Sequence, residues 1–131
     1  MTDMSDEFSF DGGLNIDLAV SDIERSKQWY ADVLGCAVIF ESAETGYAFL
    51  STPNETVTIG LGQVEHPPQP PGGTTPTWSC KNIEVGKARM EALGVRFDGP
   101  VREMGEACLV TFYDPDGHPW MLADTGAAPA D

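Results

Sequence analysis

Two stretches of this chain repeat one another. Leu14-Asn15-Ile16-Asp17-Leu18-Ala19-Val20 alternates apolar and polar residues, as a half-buried strand does. Ser21 and Asp22 follow as helix N-cap candidates, and Glu24 stands three residues after Ser21, the spacing of a capping box. Ile23, Ser26, Tyr30, Val33 and Leu34 recur near helical spacing, and Gly35 supplies the stop. Ala37–Phe40, Tyr47–Leu50 and Thr56–Leu61 read as three strands. The order then returns. Thr75–Cys80 reads as a strand, and Asn82-Ile83-Glu84 echoes Asp22-Ile23-Glu24 sixty positions later. Val85, Ala88, Ala92 and Leu93 mark a second helix that Gly94 ends, so that Leu93-Gly94 echoes Leu34-Gly35. Val95–Phe97, Ala107–Tyr113 and Pro119–Ala123 complete the copy, with Asp114-Pro115-Asp116-Gly117 as a tight turn. A duplicated βαβββ order constrains the fold more than any single element does.

Between the copies lies His66-Pro67-Pro68-Gln69-Pro70-Pro71-Gly72-Gly73, which lacks the backbone donors of a central strand and the regularity of a helix. The expected organisation is a flexible leader at 1–12, a first module at 13–65, a linker at 66–74, a second module at 75–124 and a flexible tail at 125–131. The two modules together form one domain, a size that suits 131 residues.

Seven basic residues stand against 21 acidic ones, a formal net charge of -14. Tracking phosphates requires clustered Lys and Arg, so this balance argues against nucleic acid. It favours solubility and, through long-range steering, cationic ligands. Cys36, Cys80 and Cys108 are odd in number and widely spaced, which predicts reduced thiols and a reducing, cytoplasmic setting. The acidic N-terminus lacks a signal pattern, and no apolar run approaches the roughly 20 residues of a membrane span.

Two motifs carry a resemblance. The first is Leu18-Ala19-Val20-Ser21-Asp22-Ile23-Glu24-Arg25-Ser26, followed by Trp29-Tyr30 and Val33-Leu34-Gly35; the second is Phe112-Tyr113-Asp114-Pro115-Asp116-Gly117-His118. In this order and spacing the chain resembles the glyoxalase/bleomycin-resistance (vicinal oxygen chelate) superfamily over residues 13–124. The resemblance implies an α+β fold, with two βαβββ modules forming a cup-shaped mixed sheet, helices on its outer faces and a small ligand inside. It also implies a homodimer. In metal-dependent members His, Glu or Gln side chains from the first and last strand of each module hold the ion.

Carried over residue by residue, those four positions fall on Asn15, Gly60, Thr75 and Met121. The repeat supports the register, with offsets of 60 and 61 between the paired positions. Asn and Thr are weak neutral donors, Gly has no side chain and Met suits soft metals alone, whereas a catalytic site needs about three good ligands. The sequence therefore predicts neither metal nor other cofactor. His118 is expected to hydrogen-bond within its turn, and His66 falls in the linker.

Strand alternation turns Asn15, Asp17 and Ala19 toward the cup, with Thr75, Thr77 and Ser79 from the second module and Met121 and Ala123 from the last strand. Tyr47, Phe49, Phe112 and Tyr113 lie on middle strands whose facing alternation alone leaves open. The candidate ligand-binding set is Asn15, Asp17, Tyr47, Phe49, Thr75, Thr77, Tyr113 and Met121, and Asp17 is the candidate acid or base. The expected function is metal-free sequestration of an organic, cationic or aromatic ligand, as bleomycin-resistance members bind theirs. Still open are a metal-free isomerase or cyclase using Asp17, a metal-dependent lyase or dioxygenase, and a non-catalytic docking module.

Overall fold

The structure, a computed structural model, describes residues 8–67 and 75–126. Most of the leader, most of the linker (68–74) and the last five residues of the tail lie outside the described residues. The element order is β1 (Leu14–Val20), α1 (Ile23–Leu34), β2 (Ala37–Ser42), β3 (Tyr47–Ser51), β4 (Val57–Gln63), then β5 (Thr77–Ser79), α2 (Ile83–Ala92), β6 (Arg96–Phe97), β7 (Arg102–Met104), β8 (Ala107–Tyr113) and β9 (Pro119–Asp124). The first half forms a four-stranded sheet in the order β1-β4-β3-β2. The second forms a sheet in the order β5-β9-β8-β6, with β7 also on β8. In each, the first strand runs parallel to the last, and the remaining pairs are antiparallel. The α+β duplication is thus present in the fold.

The register gives each sheet one core face and one open face. Ile16 pairs with Ile59, Leu18 with Leu61 and Leu50 with Ile59, all on the core side. Trp78, Leu122 and Val110 line up likewise, as do Trp120 and Phe112. One apolar cluster joins the two core faces, and α1 lies against both. Its buried Ser26, Tyr30 and Leu34 pack beneath the first sheet. On the other side Trp29 stacks on Phe112 at 6.4 Å, and Tyr30 meets Trp120 edge-on at 6.0 Å.

Several local expectations need correction. The N-cap of α1 is Asp22, whose carboxylate accepts from Arg25 N–H at 3.1 Å. Ser21 is drawn away because its hydroxyl donates to Asp116, on the turn of the other half, at 2.6 Å. The second helix buries a different face from the one its apolar spacing suggested. Val85 and Leu93 are exposed, and so are Ala88 and Ala92. Ile83 is the buried residue of this helix, and the Lys87 ammonium lies 5.2 Å from the Phe97 ring centre. Asn82 adopts a left-handed conformation with no side-chain cap, unlike its counterpart Asp22.

The strand expected at Val95–Phe97 begins at Arg96 and is continued, after Gly99-Pro100, by β7, which sequence reading missed. Pro100 has no N–H to give the ladder, so the edge strand breaks there and resumes with a shifted register. The strand expected at Thr75–Cys80 forms only over Thr77–Ser79.

Candidate functional site

The open face of the first sheet is built by residues whose neighbours on the same strands fill the core. β4 reads Val57-Thr58-Ile59-Gly60-Leu61-Gly62, with its odd positions inward and its small or polar even positions outward. Asp17 lies directly opposite Gly60 on one side, and Phe49 lies opposite it on the other. Tyr47 lies opposite Gly62.

These side chains form one hydrogen-bonded chain. Thr58 Oγ1 donates to Asn15 Oδ1 at 2.7 Å, and Asn15 Nδ2 donates to Asp17 Oδ1 at 2.7 Å. Tyr47 Oη donates to the same Asp17 oxygen at 2.5 Å. The tyrosine ring reaches there over bare backbone. A Cβ added at Gly60 would collide with both Tyr47 Oη and Asp17 Oδ1, and one at Gly62 would touch the Tyr47 ring at 3.8 Å. The volume that a ligating side chain would take at position 60 is therefore filled by the Asp17–Tyr47 pair. Desolvation first, and the Asp17 hydrogen bond second, push the Tyr47 hydroxyl pKa above its ordinary value. Phe49 packs edge-on to Tyr47 with ring centres 5.4 Å apart. Next to the pair lies a hollow of about 560 Å³ lined by Asp11, Asn15, Phe49, Glu55 and Thr58, among others.

The remaining candidates lie on the second sheet. Thr77 is exposed and pairs with the half-buried Met121, which pairs in turn with Thr111. Thr77 Oγ1 donates to the Thr75 carbonyl at 3.1 Å. Tyr113 is on this open face beneath the Arg96 guanidinium at 5.6 Å, whereas its neighbour Phe112 is fully buried. The orientations that the sequence left open are thus resolved: Tyr47, Phe49 and Tyr113 occupy open faces, and Phe112 belongs to the core.

The structure brings Asn15, Asp17, Tyr47 and Phe49 together, and it groups Thr75, Thr77 and Met121. It does not bring the two groups to each other. Among the described residues no side-chain hydrogen bond links them. The crevice that does reach both halves, about 530 Å³, is lined on β1 by Leu14 and Ile16 rather than by Asn15 or Asp17.

The donors present do not fit a divalent metal. Asn15 Oδ1 is taken by Thr58, Gly60 has no side chain, and Thr77, Thr111 and Met121 surround the position on the other sheet. Among the described residues no group of three or more His, Cys, Asp or Glu is arranged to hold an ion.

His118 works inside its turn. Its Nδ1 lies 2.8 Å from Asp114 Oδ2, and its backbone N–H donates to Asp114 Oδ1 at 2.8 Å. Tyr30 Oη donates to the same buried carboxylate at 2.7 Å, and Trp120 Nε1 donates to Tyr30 Oη at 3.1 Å. This network ties α1 to the second sheet. The three cysteines are free, and burial pushes the Cys36 thiol up to about 11, which removes it as a nucleophile.

Sequence reasoning missed the parts played by Thr58 and Gly60 and by the rim carboxylates Asp11 and Glu55. The small-and-polar alternation of β4 was the available signal for the first two.

Comparison with known proteins fits this architecture. The family model described as Glyoxalase/Bleomycin resistance protein/Dioxygenase superfamily matches residues 14–122. The fosfomycin resistance protein FosX from Listeria monocytogenes, solved with Mn(II) and sulfate, superimposes with a TM-score of 0.74 at 21% identity, covering 88% of this chain and 91% of that one. An integron cassette protein from the mobile metagenome of the Halifax Harbour sewage outfall gives 0.72 at 24% identity, covering 88% and 99%. A member of the same superfamily from Sphaerobacter thermophilus gives 0.73 at 22% identity, covering 90% and 98%. At such identities the likeness is one of fold. No curated protein is significantly similar in sequence.

Proposed function

The chain belongs to the Glyoxalase/Bleomycin resistance protein/Dioxygenase superfamily, and from that membership we propose that it is a metal-free binding protein that sequesters a small organic ligand in its cup. The observation that carries this reading is Gly60. At a position where metal-dependent relatives place a ligand, this chain has no side chain, and an Asp–Tyr hydrogen bond fills the space. FosX is described with Mn(II) and an anion. Here an anion at Asp17 would meet a carboxylate with no compensating ion, so the ligand of this chain differs in charge.

The cup is completed by a second copy of the chain. Within one chain the Asp17 group and the Thr77–Met121 group lie on separate sheets, and among the described residues no side-chain hydrogen bond joins them. The edge strand β2 exposes Val38, Ile39 and Phe40 by 44%, 59% and 58%, and Leu14 on the opposite edge is 60% exposed. Such apolar edges are what a homodimer covers. The protein works in the cytoplasm, a setting supported by its three free cysteines. Among the described residues no helix is long and apolar enough to cross a membrane.

The Asp17–Tyr47 pair also supports a second reading, a metal-free isomerase or cyclase in which Asp17 takes a proton from the ligand and Tyr47 donates to a developing oxyanion. Native mass spectrometry of the purified protein, with metal analysis, tests the main reading. The expected result is a dimer without stoichiometric metal that retains or takes up a small molecule unchanged. One Zn, Mn, Fe or Ni per chain would overturn it, and turnover lost in Asp17→Asn would move the function to the second reading.

A further inference from the structure

We infer that Phe8 and Phe10 form an aromatic arm that docks into a crevice between the two halves of a second copy of the chain. The inference rests on the homodimer proposed above and names what its copies exchange. Phe8 is 59% and Phe10 is 90% exposed, and their rings meet edge-on with centres 5.3 Å apart. With Ser9 between them, the two rings form one uncharged apolar unit that a single chain leaves in water. Aromatic side chains of this kind gain most when an interface covers them. The receiving surface is the crevice of about 530 Å³ lined by Leu14, Ile16 and Val57 of the first sheet and by Trp78 and Trp120 of the second. Exposure along β1 rises toward it: Val20 is buried, Ile16 is half-buried and Leu14 is exposed. Trp78 stacks on Trp120 at 5.8 Å, which gives the crevice an aromatic wall. No charged residue lines it, although 21 of the 131 residues of the chain are acidic. An uncharged crevice thus matches an uncharged pair of rings. A cavity of roughly 150 Å³ takes up a benzene molecule, so this one has room for both rings of an arm.

The attachment of the arm favours exchange over insertion into its own chain. Asp11-Gly12-Gly13 joins Phe10 to Leu14. Gly12 takes a φ of +89°, and Gly13 N–H donates to Asp11 Oδ1 at 3.0 Å, so a tight turn sets the exit of the arm and leaves both rings exposed. Leu14 is the root of the arm and also part of the crevice wall. A two-fold axis beside Leu14 therefore brings each arm to the crevice of the other copy, and the same contact forms twice. β1 is the terminal strand of its sheet, so a second copy can approach it from the side. The stretch from Phe10 to Leu14 spans at most about 14 Å, which ties the arms to this edge.

Sedimentation equilibrium of the full chain, paired with isotope-filtered NMR on an equimolar mixture of labelled and unlabelled chains, tests the inference. The wild type is expected to dimerise. The double variant Phe8→Ala/Phe10→Ala should weaken the dimer about a hundredfold, near tenfold for each ring lost from the interface. Both positions are exposed, so its amide spectrum should show an unchanged fold. The mixed sample should give contacts from the two Phe rings to the Ile16 and Val57 methyl groups of the other chain. An unchanged dimer constant in the double variant overturns the arm exchange and leaves the homodimer standing. Ring contacts to the crevice of the same chain alone also overturn it, because the arm then closes on itself. A wild type that stays monomeric across the concentration range overturns the homodimer and the exchange together.

Discussion

The two halves share an element order and differ in what each element is used for. In the first half, α1 is capped by Asp22 and buries Ser26, Tyr30 and Leu34. In the second, α2 starts from an uncapped left-handed Asn82 and buries Ile83 alone. The open faces differ as well. The first bears a carboxylate locked to a tyrosine over a glycine, and the second bears Thr77, Thr111 and Met121 around the equivalent position. Duplication therefore gives two like frames, but the hydrogen-bonded Asp17–Tyr47 pair stands on one of them and the structural anchor on the other. α1 provides core for both sheets, which frees α2 from that task. The anchor that lets it do so is the Asp114 turn of the second half, reached by Tyr30 and Ser21 of the first.

Removing that anchor is expected to produce the largest effect. Asp114 is 1% exposed and accepts from Tyr30 Oη, His118 N–H and Asp116 N–H, besides facing His118 Nδ1. Asp114→Ala leaves all of these without their acceptor and should lower the unfolding free energy by about 3–5 kcal/mol in urea denaturation. Asp22→Ala removes a single cap bond within the first half and should cost about 1 kcal/mol. Equal losses would mean that the halves are not coupled through the turn.

Gly60→Ala and Met121→Ala sharpen the contrast between the open faces. The new methyl group at position 60 meets the far ends of two side chains, which can move outward, so the stability cost should stay near or below about 1 kcal/mol. The Asp17–Tyr47 bond should nevertheless break, and amide and ring signals of both residues should shift while those around Met121 stay in place. Met121→Ala should leave the Asp17–Tyr47 signals unchanged. Cross-talk within a purified monomer would show that the two faces meet inside one chain.

Much of this contrast was legible beforehand, for identifiable reasons. The first module follows strict periodicity, so β1, α1 and the facing of Asn15 and Asp17 could be read from alternation and helical spacing. The second module broke the rules where local packing overrode pattern. On α2 Val85 and Leu93 face outward while Ile83 is buried, and Pro100 splits an edge strand into β6 and β7. At the site, the four ill-suited metal positions were visible in the sequence. The hydrogen-bonded pair that fills one of them was not, because Tyr47 and Gly60 meet only through the register of β3 against β4. The separation of the eight candidate residues onto two faces was hidden for a related reason. Alternation tells which side of its own sheet a residue takes, but not how two sheets share a core.

Proton titration tests the anchor and the site separately, with smaller effects. The His118 pKa is raised above its ordinary 6.5 by the hydrogen bond to Asp114, against an opposing effect of burial. Its protonated form is thus favoured by folding. The resulting stabilisation is complete below the unfolded pKa and is lost as pH rises through the folded one. Wild-type stability should fall more between pH 6 and pH 9 than that of His118→Gln, as measured by urea denaturation at each pH.

On the other face, Tyr47 should ionise above the ordinary tyrosine range, chiefly because it is desolvated and then because it faces Asp17. Tyr30 should ionise well above it for reasons of burial and Asp114. In ultraviolet titration Asp17→Asn should bring one tyrosine midpoint down and leave the Tyr30 midpoint where it was. The variant removes the negative charge but keeps the shape, so only the Asp17 contribution is lost and the desolvation remains. If no midpoint moves, the Asp17–Tyr47 bond is not formed in solution, and the difference between the two open faces reduces to composition.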